Sequence, residues 1–245
     1  MADVIKLAGD SAIEVDLLIN DLISEMEAGI NTLNGAMAGT IANLPINSDV
    51  ARDLIELQKS MRLSGFDKII GEGLNKSFTE AINLSGQLAT DIHDEVFEFS
   101  MESLGKLKSL KQTTFNSVQD AAQTYLTKIN NGLNTVRFGT GTKADVIKEI
   151  NEKFGKTLAN QAKTLLDTGV SGAKTQANVL LAQDNGIEKF FYAGSLIATS
   201  RPFCVAHLHQ TKTIKEWDEL NNGQIGPVSV FKGGYNCRHD LVGVI

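Results

Sequence analysis

Apolar residues recur at steps of three and four along much of the chain, which is the spacing of one buried face on an α-helix. Pro45 ends the longest of these stripes, because a proline ring clashes with the preceding turn and offers no N–H. The stripe is long for a globular helix, so we expect a break near Gly35 or Gly39. Its members are Val15, Ile19, Leu22, Met26, Ile30, Leu33, Met37, Ile41 and Leu44.

The same spacing predicts further helices. The second begins at a Ser48–Asp49 cap, whose side chains accept hydrogen bonds from the first backbone N–H groups, and it ends near Gly65. His93 lies on the polar side of a predicted helix, and we expect it to be a solvated surface residue. The other helices are predicted over 66–82, 92–129, 146–154 and 158–181.

The segment Gly139-Thr-Gly-Thr-Lys143 interrupts this periodicity. It lacks the glycine-to-glycine-lysine frame of a phosphate-binding loop, and no buried strand precedes it. We interpret it as a turn in which Thr142 caps the next helix, with Asp145 three residues later near the positive end of that helix.

Residue types are distributed unevenly. Both cysteines, the only tryptophan and three of the four histidines lie after residue 200, and no proline occurs between Pro45 and Pro202. The predicted fold class is therefore mainly α: a long-helix body followed by a small α+β C-terminal module. We expect an acidic helical body over 1–139, a second region over 140–245, and within it a compact α+β module over 187–245.

Composition limits the function. With 42% hydrophobic and 21% charged residues, the 245-residue chain is typical of globular proteins. A net charge of -6 argues against binding nucleic acid by bulk charge, so nucleic-acid contact is open but not indicated. Two cysteines exclude a disulfide scaffold. We find no secretory signal and no run long enough for a membrane span, and we expect a soluble protein made in a reducing cytoplasm.

Elements of the C-terminal module are predicted from turn residues and short apolar runs. A Ser200-capped helix with Pro202 in its first turn reaches His207. Strands or extended pieces are predicted over 189–194, 211–214, 228–231 and 241–245, with a short helix over 215–220, a loop over 221–227 and a tight turn over 233–239.

The module contains a candidate metal site. Cys204 and His207 form C-x2-H, and Cys237 and His239 form C-x-H, with His209 as a spare. Thiolate and imidazole are zinc ligands, so a structural zinc is one interpretation. A metal-free cluster joined by hydrogen bonds is another. A disulfide is disfavoured in a reducing compartment, and a Cys/His nucleophile lacks an identifiable orienting group. No catalytic residue and no other cofactor is predicted.

The glycine pair Gly233-Gly234 permits a tight turn. We therefore predict that Cys237 lies close to Cys204 with His239 on the same side, and that the cluster stabilises the module. Neighbouring arginines, Arg201 and Arg238, would lower the thiol pKa values if they lie close.

The C-terminal segments resemble a known family. Tyr192-Ala-Gly-Ser-Leu-Ile-Ala-Thr-Ser-Arg-Pro-Phe-Cys204 is followed by Asn222-Gly-Gln, then by Gly233-Gly-Tyr-Asn-Cys-Arg-His239 and Leu241-Val. In this order the segments are similar to the signature of phage minor head proteins, the Mu F-like head morphogenesis family of tailed phages and prophages. With helical lead-in segments, the resemblance covers about residues 140–245. Some relatives have C-x2-C where this chain has His207.

The resemblance implies a minor structural protein of the virion that is associated with the portal or inner head. Such proteins act in head assembly and in genome packaging or delivery. The implied partners are portal and capsid proteins, and the implied location is a virion assembled in the bacterial host cytoplasm. The long apolar stripes, if exposed on a monomer, would favour a multimer. Alternatives are an internal protein ejected with the genome, or a Cys/His-based hydrolase or toxin-like enzyme.

Overall fold

A computed structural model of the chain describes residues 2–45 and 49–245. The described residues are mainly helical, with one small antiparallel sheet near the C-terminus, so the predicted fold class is confirmed. The helices are α1 (Ala2–Asn43), α2 (Val50–Leu63), α3 (Phe66–His93), α4 (Met101–Arg137), α5 (Lys143–Glu149), α6 (Gly155–Asp184), α7 (Pro202–His207), α8 (Ile214–Asp218) and α9 (Val228–Phe231). The strands are β1 (Lys189–Ala193), β2 (Thr211–Thr213) and β3 (Asp240–Val244).

Eight residues of the predicted stripe form one face of α1, and the ninth, Leu44, directly follows the helix; each of the nine is at most 8% exposed. The expected break is wrong, since α1 continues through Gly35 and Gly39, both exposed and free of close neighbours. Because the stripe is buried within a single chain, it leaves no apolar patch for a partner. This stripe therefore gives no support for a multimer.

The cap of α2 is confirmed at Asp49, whose Oδ1 accepts a hydrogen bond from Ala51 N at 3.0 Å. The other predicted cap residue, Ser48, lies outside the described residues. At its N-terminus α5 has the predicted capping box of Thr142 and Asp145. A π-helical turn, Ile150–Phe154, joins α5 to α6 and was not predicted.

The predicted helix over 92–129 is wrong at its start. A break separates α3 from α4, and the Ser100 hydroxyl accepts a hydrogen bond from Ser103 N at 3.1 Å in the first turn of α4. The prediction for His93 is also wrong. This side chain is half-buried, with Nε2 3.2 Å from the Gly243 carbonyl oxygen and its ring stacked on Phe97.

Backbone contacts group the chain into two compact units that are not consecutive in sequence. They do not coincide with the expected boundaries at residues 139 and 187, which rest on composition and resemblance. The first unit comprises 1–21, 74–114 and 166–245, and the second comprises 22–73 and 115–165.

Within the second unit, polar side chains pair in the interior. The Tyr125 hydroxyl donates to Asn34 Oδ1 at 2.8 Å, and the Arg137 guanidinium pairs with the carboxylate of Asp53, which is 2% exposed. These contacts connect α1 with α4, and α2 with α4.

The first unit contains the three-stranded sheet, in the order β2-β1-β3, and both neighbours of β1 are antiparallel to it. Side chains of β1 alternate between two cores, as a strand buried on both faces requires. Phe190 and Tyr192 pack into a core with Trp217, whereas Phe191 and Ala193 pack into the other. Strand β1 therefore lies in the interior of its unit.

Two predictions in the C-terminal module are wrong. Residues 228–231 form the short helix α9 rather than a strand, and Asp218 accepts hydrogen bonds from Ser229 N at 2.7 Å and Ser229 Oγ at 2.9 Å. The N-cap of α7 is Arg201 rather than Ser200, because the Ser200 hydroxyl accepts a hydrogen bond from Ile197 N instead.

Among the helices described here, each is too short or too polar to cross a bilayer.

Candidate functional site

Two segments of the C-terminal module supply a buried cysteine–histidine cluster, which consists of Cys204, Cys237 and His239. Cys204 lies on α7, and the other two residues lie on the turn that leads into β3. The three side chains are at most 7% exposed. Strand β1 is paired with β3 and packs beside α7, so the sheet fixes where both segments approach each other.

The predicted proximity of the two cysteines is confirmed. The Sγ atoms of Cys204 and Cys237 are 3.9 Å apart, and Cys237 Sγ lies 3.7 Å from His239 Nδ1. One ligand atom from each of the three residues lies within 4.8 Å of the others. Both cysteines are free thiols. The cluster can therefore hold a metal ion.

The structure brings together three of the four predicted ligands, and His207 is outside the group. Its Nδ1 lies 3.3 Å from Gln210 Oε1, and its ring packs against Phe203 and Trp217 with centroid distances of 4.6 and 5.9 Å. The spare candidate, His209, stacks on Phe191. Both rings are engaged in aromatic packing rather than directed at the sulfur atoms.

Close approach of backbone and sulfur requires glycine at position 233. A β-carbon there would lie deep inside the contact distance of Cys204 Sγ, and 3.2 Å from Cys237 Sγ. The same residue donates its backbone N–H to Cys237 Sγ at 3.3 Å. Gly194 plays a similar part on the other side, where a β-carbon would collide with the His239 ring. These glycines allow the backbone to enclose the cluster.

Tyr192 of β1 adds a further polar atom that the sequence did not reveal as part of the site. Its hydroxyl oxygen lies 3.5 Å from Cys204 Sγ and 3.7 Å from Cys237 Sγ, and the side chain is fully buried. Burial and the neighbouring sulfur atoms raise its pKa, which keeps the phenol protonated. A buried tyrosine normally bonds through its hydroxyl, so a tyrosine within an apolar strand was the available signal.

The surroundings of the two thiols shift their pKa values in opposite directions. The hydrogen bond from Cys204 lowers the pKa of Cys237, and His239 and the Lys232 ammonium lower it further. The same hydrogen bond, together with burial, raises the pKa of Cys204. Of the two, Cys237 is therefore the cysteine that loses its proton more readily.

Lys232 is the charged residue that lowers the pKa of Cys237, and no feature of the sequence indicated this role. The side chain is 2% exposed, and its Nζ donates to the carbonyl oxygen of Ser171 at 3.0 Å and to its hydroxyl at 2.7 Å. Burial lowers its pKa. The arginines predicted for this role act differently: Arg201 lowers the pKa of Cys204 only as a minor cause, and Arg238 pairs with aspartates.

Helix α6 anchors the segment that carries Cys237. The Ser171 hydroxyl donates to the Cys237 carbonyl oxygen at 3.0 Å. Three residues later on α6, Lys174 pairs with the carboxylate of Asp240, which also accepts a hydrogen bond from Thr175 at 2.7 Å. Because Lys174 and Asp240 are both at most 4% exposed, this ion pair fixes the start of β3 from inside the unit.

The space around the cluster distinguishes a catalytic role from a structural one. The cavity that His239 lines has a volume of about 10 Å³, which is room for about one water molecule. A nucleophilic cysteine needs a substrate at its sulfur, and Cys204 and Cys237 are only 2% and 4% exposed. The arrangement suits a metal ion or a hydrogen-bonded cluster that stabilises the module.

Comparison of this chain with models of protein families, with curated proteins and with solved structures finds no match in any of the three.

Proposed function

We propose that the chain is a minor structural protein of a tailed-phage virion, associated with the portal or inner head. It acts there in head assembly and in genome packaging or delivery. One observation carries the proposal: the three separated segments that resemble phage minor head proteins bond directly to one another. These segments lie over 200–204, 222–224 and 233–239.

Arg201 connects the first segment to the third. Its guanidinium donates to the Gly233 carbonyl oxygen at 3.3 Å and to the Tyr235 carbonyl oxygen at 2.6 Å. Cys204, three residues later, contacts Cys237 of the third segment. The arginine and the cysteine of one motif therefore both recognise the other motif.

The middle segment holds the loop between them. Gln224 Oε1 accepts a hydrogen bond from Tyr235 N at 2.9 Å, and Asn222 Nδ2 donates to the Lys232 carbonyl oxygen at 2.8 Å. Gly234 has a φ of 99°, and a β-carbon there would collide with Gln224. The residue types of both segments are thus explained by how they fit together.

These contacts favour a structural role over catalysis. Each motif residue named above satisfies a backbone group or packs against another motif, so the pattern is accounted for without a substrate. The buried thiols argue against the Cys/His-based hydrolase or toxin-like enzyme, because a hydrolase must admit water and substrate to its nucleophile. We therefore propose a protein that is not an enzyme.

We propose further that the ion held by Cys204, Cys237 and His239 is a structural zinc. Two zinc–sulfur bonds of about 2.3 Å at a tetrahedral angle place the sulfur atoms about 3.8 Å apart. The Sγ atoms of this chain are 3.9 Å apart. A module of about sixty residues buries little apolar surface, so a metal cross-link contributes usefully to its stability.

The proposed partners are portal or capsid proteins, in a virion assembled in the bacterial host cytoplasm. Several apolar side chains of the C-terminal module are exposed and available for such docking, namely Leu196, Ile197 and Val205 at 46%, 69% and 54%. The net charge of -6 favours a protein partner over DNA. A multimeric arrangement in the virion is part of the proposal on the strength of the resemblance alone, since the apolar stripe of the first helix is buried and does not support it.

Fractionation of particles tests this function. Particles of the phage or prophage that encodes the chain are purified on density gradients, and the chain is quantified by mass spectrometry relative to the portal protein. We expect a low, constant ratio in DNA-filled particles. The chain remaining in the lysate and missing from particles would refute the proposal.

Particles that have released their DNA distinguish this role from that of an internal protein ejected with the genome. Particles triggered to release DNA in vitro keep a fixed head component, whereas an internal protein ejected with the genome leaves them. Retention at an unchanged ratio supports the proposed role, and loss in parallel with DNA would establish the ejected protein instead.

A further inference from the structure

We propose that Tyr192 is the fourth ligand of this metal site, so that the ion is enclosed by two sulfur atoms, one imidazole nitrogen and one phenolate oxygen. The inference rests on the zinc site proposed above. It replaces His207, the ligand that the spacing of the sequence suggested, with a residue twelve positions before Cys204 on β1.

Four of the six distances between ligand atoms match the edges of a tetrahedron. Ordinary zinc bond lengths place sulfur about 3.6 Å from nitrogen and about 3.5 Å from oxygen at tetrahedral angles. Cys237 Sγ is 3.7 Å from His239 Nδ1, and the Tyr192 oxygen is 3.5 and 3.7 Å from the two sulfur atoms. Together with the sulfur–sulfur distance, four edges lie within about 0.2 Å of the expected values.

The Tyr192 ring is held so that its oxygen stays at this corner. Its backbone N–H donates to the Gln210 carbonyl oxygen, and its own carbonyl oxygen accepts from His209 N, both at 2.9 Å. The ring lies between His239 and Trp217, with centroid distances of 5.1 and 5.4 Å. Because the ring stacks on His239 and packs against Trp217, its oxygen is held beside the two sulfur atoms before any metal binds.

Charge accounts for the buried lysine beside the site. When zinc binds, the thiol protons of Cys204 and Cys237 and the phenolic proton of Tyr192 leave to solvent. Two thiolates and one phenolate around a divalent ion leave one negative charge, with His239 neutral. The ammonium of Lys232, which acts electrostatically on Cys237, balances that charge inside the protein.

A site closed by four protein ligands is structural, because catalytic zinc keeps one position for water or substrate. The inference therefore explains the burial of the cluster as well as its distances. It also predicts that zinc binding ionises a tyrosine that burial otherwise keeps neutral.

Near-ultraviolet difference spectroscopy tests the ligand directly. Zinc is added stepwise to the metal-free full-length chain, and the difference band of ionised tyrosine is followed; zinc itself is a d¹⁰ ion and leaves that region clear. We expect a band equivalent to one tyrosine that saturates at one zinc per chain. Tyr192→Phe should abolish the band and weaken zinc binding by about tenfold or more.

A matched control uses Tyr235, which is 37% exposed and belongs to the same module. Tyr235→Phe should keep the full band. Circular dichroism of metal-free Tyr192→Phe verifies that this variant is folded. One zinc bound without the band, or with equal affinity in Tyr192→Phe, would overturn the inference and leave the zinc site standing. A folded parent that binds no zinc would overturn both.

Discussion

Gly233→Ala probes the close approach on which the cluster depends. Gly233 does not have a positive φ, so alanine fits its backbone conformation and the substitution changes only the space beside the sulfur atoms. The new β-carbon would overlap Cys204 Sγ and lie 3.2 Å from Cys237 Sγ and 3.3 Å from the Tyr192 oxygen. Several atoms around a closed cluster must move together to accommodate it.

Overpacking a well-packed interior costs about 1–3 kcal/mol, and the collision with a sulfur atom places this variant near the upper value, about 3 kcal/mol. For a chain of this size, each kcal/mol lowers the midpoint of thermal unfolding by about 2–4 °C. The expected decrease is therefore about 6–12 °C.

Fluorescence of Trp217 provides the assay, because it is the only tryptophan, is fully buried and packs in the same core as the two cysteines. Gly105→Ala is the matched control, since a β-carbon at that exposed position of α4 meets nothing within 4 Å. This control should be as stable as the parent or slightly more stable. A Gly233→Ala variant with the midpoint of the parent would refute the close approach.

Three further outcomes follow from other contacts. Asp240→Asn leaves the Lys174 ammonium buried without its carboxylate and should cost about 3–5 kcal/mol in urea unfolding. The Thr213 backbone and hydroxyl hydrogen bonds lower the pKa of Glu216, so Thr213→Val should raise that pKa in an NMR titration; stability from this carboxylate is complete above its ordinary value of 4.5 and is lost as pH falls through the lowered value. Gly35 lies at an exposed position in the middle of α1, so Gly35→Ala should raise the free energy of unfolding by about 0.5–1 kcal/mol, measured by thermal unfolding.

Each of these three variants has a control. Lys106→Met removes an exposed ion pair with Glu102 and should lower the free energy of unfolding by at most about 1 kcal/mol. If Asp240→Asn lowers it by as little as that, the buried ion pair is contradicted. In the same NMR titration, the signal of Glu80, an exposed carboxylate on α3, serves as the reference, and Thr213→Val should leave its titration curve unchanged. A destabilised Gly35→Ala would indicate that α1 needs glycine there.

Helix α1 was predictable because one physical rule decides it. Nine apolar residues at helical spacing can be buried together only as a helix, and the chain buries all of them. The capping box at Thr142 was predictable for the same reason, since its bonds connect residues three apart. Where a contact is local in sequence, residue type and spacing carry the information.

Helix α9 shows why other elements were not predictable. Val228 to Phe231 are residues that favour strands, so the local preference pointed the wrong way. The carboxylate of Asp218 fixes the first turn of the helix, because it accepts two hydrogen bonds from Ser229, eleven residues later in the chain. Such a contact becomes visible only when the fold has brought the two segments together.

The candidate site divides in the same manner. The glycine pair before Cys237 predicted a tight turn, and from that turn we predicted that Cys237 and His239 lie close to Cys204, as they do. Spacing alone also favoured His207, but the helical geometry of α7 directs that ring to aromatic neighbours instead. Lys232 and Tyr192 reach the cluster through tertiary packing, and no spacing rule relates them to it.

X-ray absorption at the zinc edge tests most directly whether the segments that carry the resemblance close a buried metal site. The full-length chain, purified without added metal or chelator, should contain one zinc with two sulfur neighbours at about 2.3 Å and two nitrogen or oxygen neighbours at about 2.0 Å. Chain that carries no zinc, or zinc with only nitrogen and oxygen neighbours, would contradict this account.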